Sequence, residues 1–227
     1  MNFLNTSRVL LASVLLTAAL PAQDGDFSRQ YRRAVKSVVT IYTSKGSGSG
    51  FGVAMHGSDV TTVIATNAHV VGTDQYVSVV TSDRSKFSGK VIARYADTDI
   101  AFIECSCVPS LPLAGGFPDI GSRAYVIGSP GLSPGVLASG TLTSGVVGNI
   151  LVGGIIQVDA SINYGNSGGP VLNSRGEVIG MASAFAQDKP GLNFAVSVVS
   201  IQGLIPDYWT ELNRQIERNR RVLSYQK

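Results

Sequence analysis

Only two cysteines, two histidines and one tryptophan occur among the 227 residues. Two cysteines cannot make the disulfide framework of a small secreted scaffold, and two histidines beside them do not complete a cysteine-rich zinc centre. Charged residues are scarce, at 15% against 44% hydrophobic, a balance that excludes intrinsic disorder. The formal net charge is +3, with no stripe of lysine and arginine such as nucleic-acid proteins carry. No glycine-rich phosphate loop is present. Beyond Leu20 no run is apolar and long enough to cross a bilayer. The 26 glycines show no three-residue period, which rules out a collagen helix.

What is present begins with a leader. Arg8 precedes the uncharged run Val9 to Leu20, then Pro21-Ala22, and the chain turns polar at Gln23-Asp24-Gly25-Asp26. A positive start, a short apolar stretch and a small-residue site define a secretory signal. Cleavage is expected after Ala22, so that residues 1–22 form the signal peptide and 23–227 the exported chain; Ala19 is the competing site. The alternative is a retained anchor, for which the run is short. No cysteine stands near the site to carry a bacterial lipid.

The middle of the chain breaks into short runs divided by Gly, Pro, Ser and Asp. Strands are predicted at 38–42, 60–66, 76–80, 91–93 and 100–104. After the Pro- and Gly-rich stretch Cys107 to Gly121 they resume at 124–127, 137–141, 155–158, 171–172, 178–182 and 192–198. Many short β-branched strands with turn residues between them indicate an all-β sandwich or barrel. The central stretch divides them into two similar sets, hence two barrels, at about 31–108 and about 119–203. Trp209, Leu212, Ile216 and Leu223 recur at helical steps, so a C-terminal helix over about 207–223 is expected to pack on the second barrel.

The chemistry is carried by Gly165-Asn166-Ser167-Gly168-Gly169-Pro170. A serine hydroxyl attacks only when a base takes its proton and donors stabilise the resulting oxyanion. Flanking glycines let the backbone turn sharply and aim N–H groups at one point. Upstream, Thr66-Asn67-Ala68-His69-Val70-Val71 sets a histidine directly after an apolar strand, and Thr98-Asp99-Ile100-Ala101-Phe102-Ile103 sets a carboxylate at the mouth of another. The imidazole can accept the serine proton, and the acid can hold its tautomer. Asp97 is the competing acid. His56 lies in a polar turn and reads as solvated. Asp159 reads as a partner for backbone donors rather than substrate. Cys105 and Cys107, two apart on one strand, read as buried thiols.

These residues resemble the trypsin-fold serine proteases of the HtrA type, over about Phe27 to Ser200. Ser47-Gly48-Ser49-Gly50-Phe51-Gly52 is similar to that family's first-barrel glycine motif. The three catalytic motifs follow in the family's order, and Ile156 to Ala160 and Gly191 to Val196 resemble the strands beside its specificity pocket. The resemblance implies two six-stranded barrels and a serine endopeptidase needing no metal or other cofactor. It makes Ser167 the nucleophile, His69 the general base and Asp99 its orienting acid, with the backbone N–H groups of Gly165 and Ser167 as oxyanion hole. Asn166, where digestive relatives carry an Asp, implies no activating cut within the catalytic domain.

Two features depart from the family's pattern. The chain ends soon after its last predicted barrel strand, so regulation by a PDZ domain is not expected, and Tyr164 replaces the usual Pro of the serine motif. The candidate pocket residues Ile162, Asn163, Asn193, Phe194 and Ala195 include no acid or base, which predicts a small or medium apolar residue on the acyl side of the cut bond. Substrate is expected to add as a strand along Asn193 to Val196. Phe27 and Tyr31 share a helical face, and the resemblance implies a homotrimer held by aromatic residues there. The expected function is cleavage of unfolded or damaged proteins in the periplasm or outside the cell. The alternative is a catalytically silent binding module on the same scaffold. An esterase shares the chemistry, but the strand-rich pattern does not fit an α/β sheet.

Overall fold

Runs rich in Val, Ile, Thr and Phe suit a pleated, half-buried surface, and they become strands here. The computed structural model describes residues 26–57, 62–129, 131–133, 136–137, 139–183, 192–206 and 210. The leader expected over 1–22 and, Thr210 apart, the helix expected over 207–223 lie outside them. Strands β1 (Val38–Thr43), β2 (Gly46–Ala54), β3 (Thr62–Thr66), β4 (Tyr76–Val80), β5 (Lys86–Tyr95) and β6 (Ile100–Glu104) close into a barrel in the order β1-β2-β3-β6-β5-β4. Then follow β7 (Arg123–Gly128), the short pair β8 (Gly131–Ser133) and β9 (Val136–Leu137), β10 (Thr141–Leu151), β11 (Ile155–Val158), β12 (Pro170–Leu172), β13 (Val178–Ser183) and β14 (Asn193–Ser197). Six of these form a second closed barrel in the order β10-β11-β14-β13-β12-β7. The fold is the two six-stranded barrels expected, with every neighbouring pair antiparallel.

Two long strands differ from the sequence reading. β2 contains Gly48, Gly50 and Gly52, residues that ordinarily weaken a strand. They are needed for close approach: a Cβ on Gly50 would lie 2.6 Å from Ile64 Cγ2, and one on Gly52 2.3 Å from the Pro109 carbonyl oxygen. β10 begins at Thr141 rather than 137 and runs to Leu151, with its register against β11 shifting between Val147 and Asn149. Gly145 and Gly148 interrupt its apolar pattern, which hid it.

One apolar cluster fills the second barrel and crosses to the first through Phe51, Val53 and Phe102; another lies inside the first barrel around Ile41, Ile64, Val79 and Ile103. Each such side chain, fully buried, contributes about 1.5–3 kcal/mol relative to exposure. A short helix, α1 (Ser28–Ala34), precedes the first barrel yet fastens to the second. Phe27 stacks on Tyr125 with ring centroids 3.8 Å apart, and the Tyr31 hydroxyl donates to the Gly140 carbonyl at 2.8 Å. Both rings on which the trimer expectation rested are therefore engaged within the chain.

The cysteine expectation is corrected. Cys105 and Cys107 form a disulfide, with Cα atoms 5.2 Å apart, inside the usual range for a bridge. β6 ends at Glu104, so the pair occupies a turn rather than alternate positions of a strand, and the turn brings the two side chains together.

Candidate active site

His69 stands on α2 (Ala68–Val71), a single turn that starts as β3 leaves the first barrel, with Asn67 as its N-cap. Asp99 lies just before β6 in the left-handed region, φ 53°, a conformation that Asp adopts more readily than most residues. That backbone turn brings the carboxylate back over α2. Asp99 Oδ1 accepts from the His69 backbone N–H at 3.0 Å, and both carboxylate oxygens meet His69 Nδ1, at 3.0 and 2.9 Å. A carboxylate only accepts, so Nδ1 carries the ring proton and Nε2 is the basic nitrogen. The Asp99 side chain is 10% exposed and that of His69 47%. The acid is thus shielded while the base faces the solvent side. Asp97, the competing acid, is exposed and makes none of these contacts.

Two further groups hold Asp99. The Ser183 hydroxyl, at the end of β13 in the other barrel, donates to Asp99 Oδ2 at 3.1 Å, and Asn67 Nδ2 donates to the Asp99 carbonyl at 3.0 Å. In the sequence Asn67 is legible only as part of the histidine motif, without a role, and Ser183 does not stand out; a lone serine ending a buried strand has no local signature.

Ser167 is 6% exposed, in the turn between β11 and β12. Gly165, at φ 93°, and Gly168, at φ 86°, provide the left-handed backbone that the turn requires. A Cβ on Gly168 would also lie 2.1 Å from the Ser49 carbonyl oxygen. Within the turn, Asn166 N–H donates to Asn163, Gly168 N–H to Ala182 and Gly169 N–H to Asn166, each at 2.9 Å. The Gly165 and Ser167 N–H groups have no acceptor among the described residues.

The turn is fastened from the first barrel by Ser49, fully buried in β2. Its hydroxyl donates to the Gly165 carbonyl at 2.6 Å and accepts from Ser129 N–H at 2.9 Å; its backbone N–H donates to the Ser167 carbonyl at 2.8 Å. Thr66 Oγ1 donates to the Ser49 carbonyl at 2.7 Å. Asn166 is 1% exposed, in a tight space against Gly128, where a neutral amide is buried at less cost than the carboxylate of digestive relatives.

Ser167 and His69 line one cavity of about 280 Å³ together with Lys45, Gly46, Ser47, Val70, Tyr164 and Gly165. A second cavity of the same size, beside Phe117, Arg123 and Arg175, contains none of the three candidate catalytic residues.

Of the expected substrate residues, Ile162 is buried and Asn163 exposed, and none of Ile162, Asn163, Asn193, Phe194 and Ala195 lines the cavity of His69 and Ser167. Strand addition along Asn193 to Val196 is corrected. β14 pairs with β11 on one edge and β13 on the other, with Ala195 opposite both Ile156 and Ala182. From Phe194 to Val196 both edges are taken within the barrel, so this stretch offers a peptide no free edge; among the described residues Asn193 pairs with Val158 alone. Asp159 accepts from Val146 N–H at 2.6 Å, the backbone partnership expected of it. His56 is exposed, and a ring nitrogen lies 3.0 Å from the Gln202 carbonyl oxygen.

A family model of the trypsin-like peptidase domain matches residues 48–181. The chain belongs to the trypsin-like peptidase family. Its relatives include HtrA-type members: it is 33% identical over 172 residues to serine protease HTRA4 of Homo sapiens, covering 71% of this chain and 35% of that protein. To serine protease HTRA1 of Xenopus tropicalis it is 37% identical over 160 residues, covering 66% and 33%. The chain spans 41% of the length of one Synechocystis relative and less of these two. Among solved structures it resembles the serine endoprotease from Yersinia pestis, with a TM-score of 0.69 and 26% identity over 79% of this chain and 65% of that one.

Proposed function

We propose that the chain is an exported serine endopeptidase that hydrolyses peptide bonds through an acyl-enzyme. The observation that carries this is the two-oxygen grip of Asp99 on His69 Nδ1, at 2.9 and 3.0 Å, with His69 and Ser167 facing one cavity. In this reading Nε2 takes the Ser167 proton as Oγ attacks the carbonyl carbon. The carbonyl oxygen becomes an oxyanion held by the Gly165 and Ser167 N–H groups. The imidazolium, stabilised by Asp99, then protonates the leaving amine, and the C–N bond breaks. Water, deprotonated by the same imidazole, releases the acid and regenerates the serine. The cycle calls for no metal or other cofactor.

Substrates in this reading are unfolded or damaged proteins cut after a small or medium apolar residue; the preference is read from Ile162, Asn163, Asn193, Phe194 and Ala195, which carry no charge and lie outside the cavity of Ser167. The leader read at residues 1–22 supports export to the periplasm or outside the cell. A homotrimer through Phe27 and Tyr31 is not part of this reading, since those rings serve the chain's own second barrel. The test is digestion of an unfolded protein by residues 23–227, with Ser167→Ala as control. Fragments cut after Val, Leu or Ala, absent with Ser167→Ala, support it. An intact substrate with both proteins contradicts it and leaves the silent binding module.

A further inference from the structure

Four side chains of the cavity of His69 and Ser167 have no part in the chemistry above, Lys45, Ser47, Val70 and Tyr164, and the two long ones are Lys45 and Tyr164. Lys45 lies in the exposed turn between β1 and β2. That turn is pinned, because the Ser44 N–H and hydroxyl donate to the two oxygens of Asp74, each at 2.7 Å, and Thr43 Oγ1 donates to the Gly46 carbonyl at 3.2 Å. Asp74 is thereby occupied by Ser44, while Arg94 donates to the Asp74 carbonyl at 2.7 Å. Lys45 is the one lysine, arginine or carboxylate side chain that lines the cavity among the described residues; Asp74 feels the charge of both Lys45 and Arg94, but its oxygens are held by Ser44. Among the described residues Lys45 makes no ion pair. Tyr164, 74% exposed, directly precedes Gly165 and supplies an aromatic wall.

The side of the cut bond follows from the chemistry. The leaving amine receives its proton from His69, so the chain beyond the bond departs along His69 rather than along the second barrel. His69, Val70 and the β1–β2 turn are the first-barrel walls of the cavity. At about 280 Å³ it is at the small end of ligand sites, suited to a side chain rather than a large cofactor.

We propose that this cavity is a leaving-side subsite in which Lys45 selects Asp or Glu at the first or second residue after the cut bond, with Tyr164 packing on the stem of that side chain. The inference rests on the endopeptidase reading and adds a substrate class to it. Complementary charge at an exposed rim contributes modestly. Attraction of an acid and repulsion of a lysine together predict about a tenfold difference in kcat/KM at low salt, shrinking at about 1 M salt, where the screening length is about 3 Å.

Internally quenched peptides with Val before the bond, and Asp, Ser or Lys at the two positions after it, test this. Each variant's rate is normalised to its own rate on a Val-terminated peptide anilide, which has no residues beyond the bond. Wild type and a Lys86→Glu surface control should prefer the Asp peptide over the Lys peptide about tenfold. Lys45→Ala should lose the preference and Lys45→Glu reverse it. Tyr164→Ala should raise KM for all three peptides. Indifference to the leaving-side residue, or a preference that survives Lys45→Glu, in an enzyme that still takes up a fluorophosphonate at Ser167, overturns the inference alone. Failure of such an enzyme to cut any of the peptides overturns the inference together with the apolar preference before the bond. No cleavage and no fluorophosphonate uptake overturns the endopeptidase reading and the inference with it.

Discussion

The Ser49 hydroxyl of the first barrel donates to the Gly165 carbonyl of the second at 2.6 Å. This bond holds the peptide whose neighbouring N–H is proposed to meet the oxyanion, so one barrel fixes the candidate catalytic loop of the other. Ser49→Ala leaves the Gly165 carbonyl and the Ser129 N–H without a buried partner, at about 1–3 kcal/mol each. The expected outcome is a fall in kcat of about 10–100-fold with KM held, part of the ~10²–10³ that an oxyanion donor is worth. Steady-state kinetics beside a thermal melt checks it. A Tm drop with kcat intact would make Ser49 structural only.

Asp99 and Asp97 are two residues apart, yet only Asp99 reaches His69. Asp99→Asn should place the ring proton on the wrong nitrogen and lower kcat roughly 10³–10⁴-fold. Asp97→Asn, on the exposed turn, should change kcat by less than about twofold. Single-turnover acylation of both variants distinguishes them.

Ser183 supplies the second barrel's contribution to the acid. Removing its hydroxyl in Ser183→Ala takes a donor from Asp99 Oδ2, and about a tenfold loss of kcat is expected, the scale of one hydrogen bond to a charged group. A lower Tm with kcat intact would assign Ser183 to packing.

Phe27 and Tyr125 stack with an interplanar angle of 4°. Phe27→Ala should cost about 3 kcal/mol, the low end for truncating a buried Phe. It should appear as a lower urea midpoint with an unchanged slope.

Asp74 carries an acid-sensitive contact. Its hydrogen bonds from Ser44, backbone first and then side chain, hold the carboxyl below its ordinary pKa. A lowered folded-state value means that the contact stabilises the turn above the unfolded pKa of about 3.9 and is lost as pH falls through the lower folded value. The Ser44 amide resonance should titrate with a midpoint below about 3.9, and Asp74→Asn should abolish that titration.

The parts of the fold written in uninterrupted β-branched runs were legible. Strands at 76–80, 100–104 and 155–158 fall where the sequence places them. β2 and β10 were not, because their glycines serve contacts with other parts of the chain and no local pattern encodes those contacts. The same holds at the site. His69, Asp99 and Ser167 sit in recognisable motifs; Ser49 lies in one too, the glycine motif at 47–52, but its role and that of Ser183 depend on partners 116 and 84 residues away. The strand-addition expectation failed for a related reason: a sequence shows that Asn193 to Val196 is a strand, but not that both its edges are occupied from Phe194 to Val196. The cysteines were misjudged because the strand ends one residue before Cys105.

The central claim is that Ser167 is an activated nucleophile. Incubating residues 23–227 with a fluorophosphonate and measuring intact mass tests it most directly, with Ser167→Ala as control. A single adduct on the wild-type protein, absent from Ser167→Ala and strongly slowed in His69→Ala, is the predicted result. No adduct on the wild type, with or without unfolded protein present, would contradict the account.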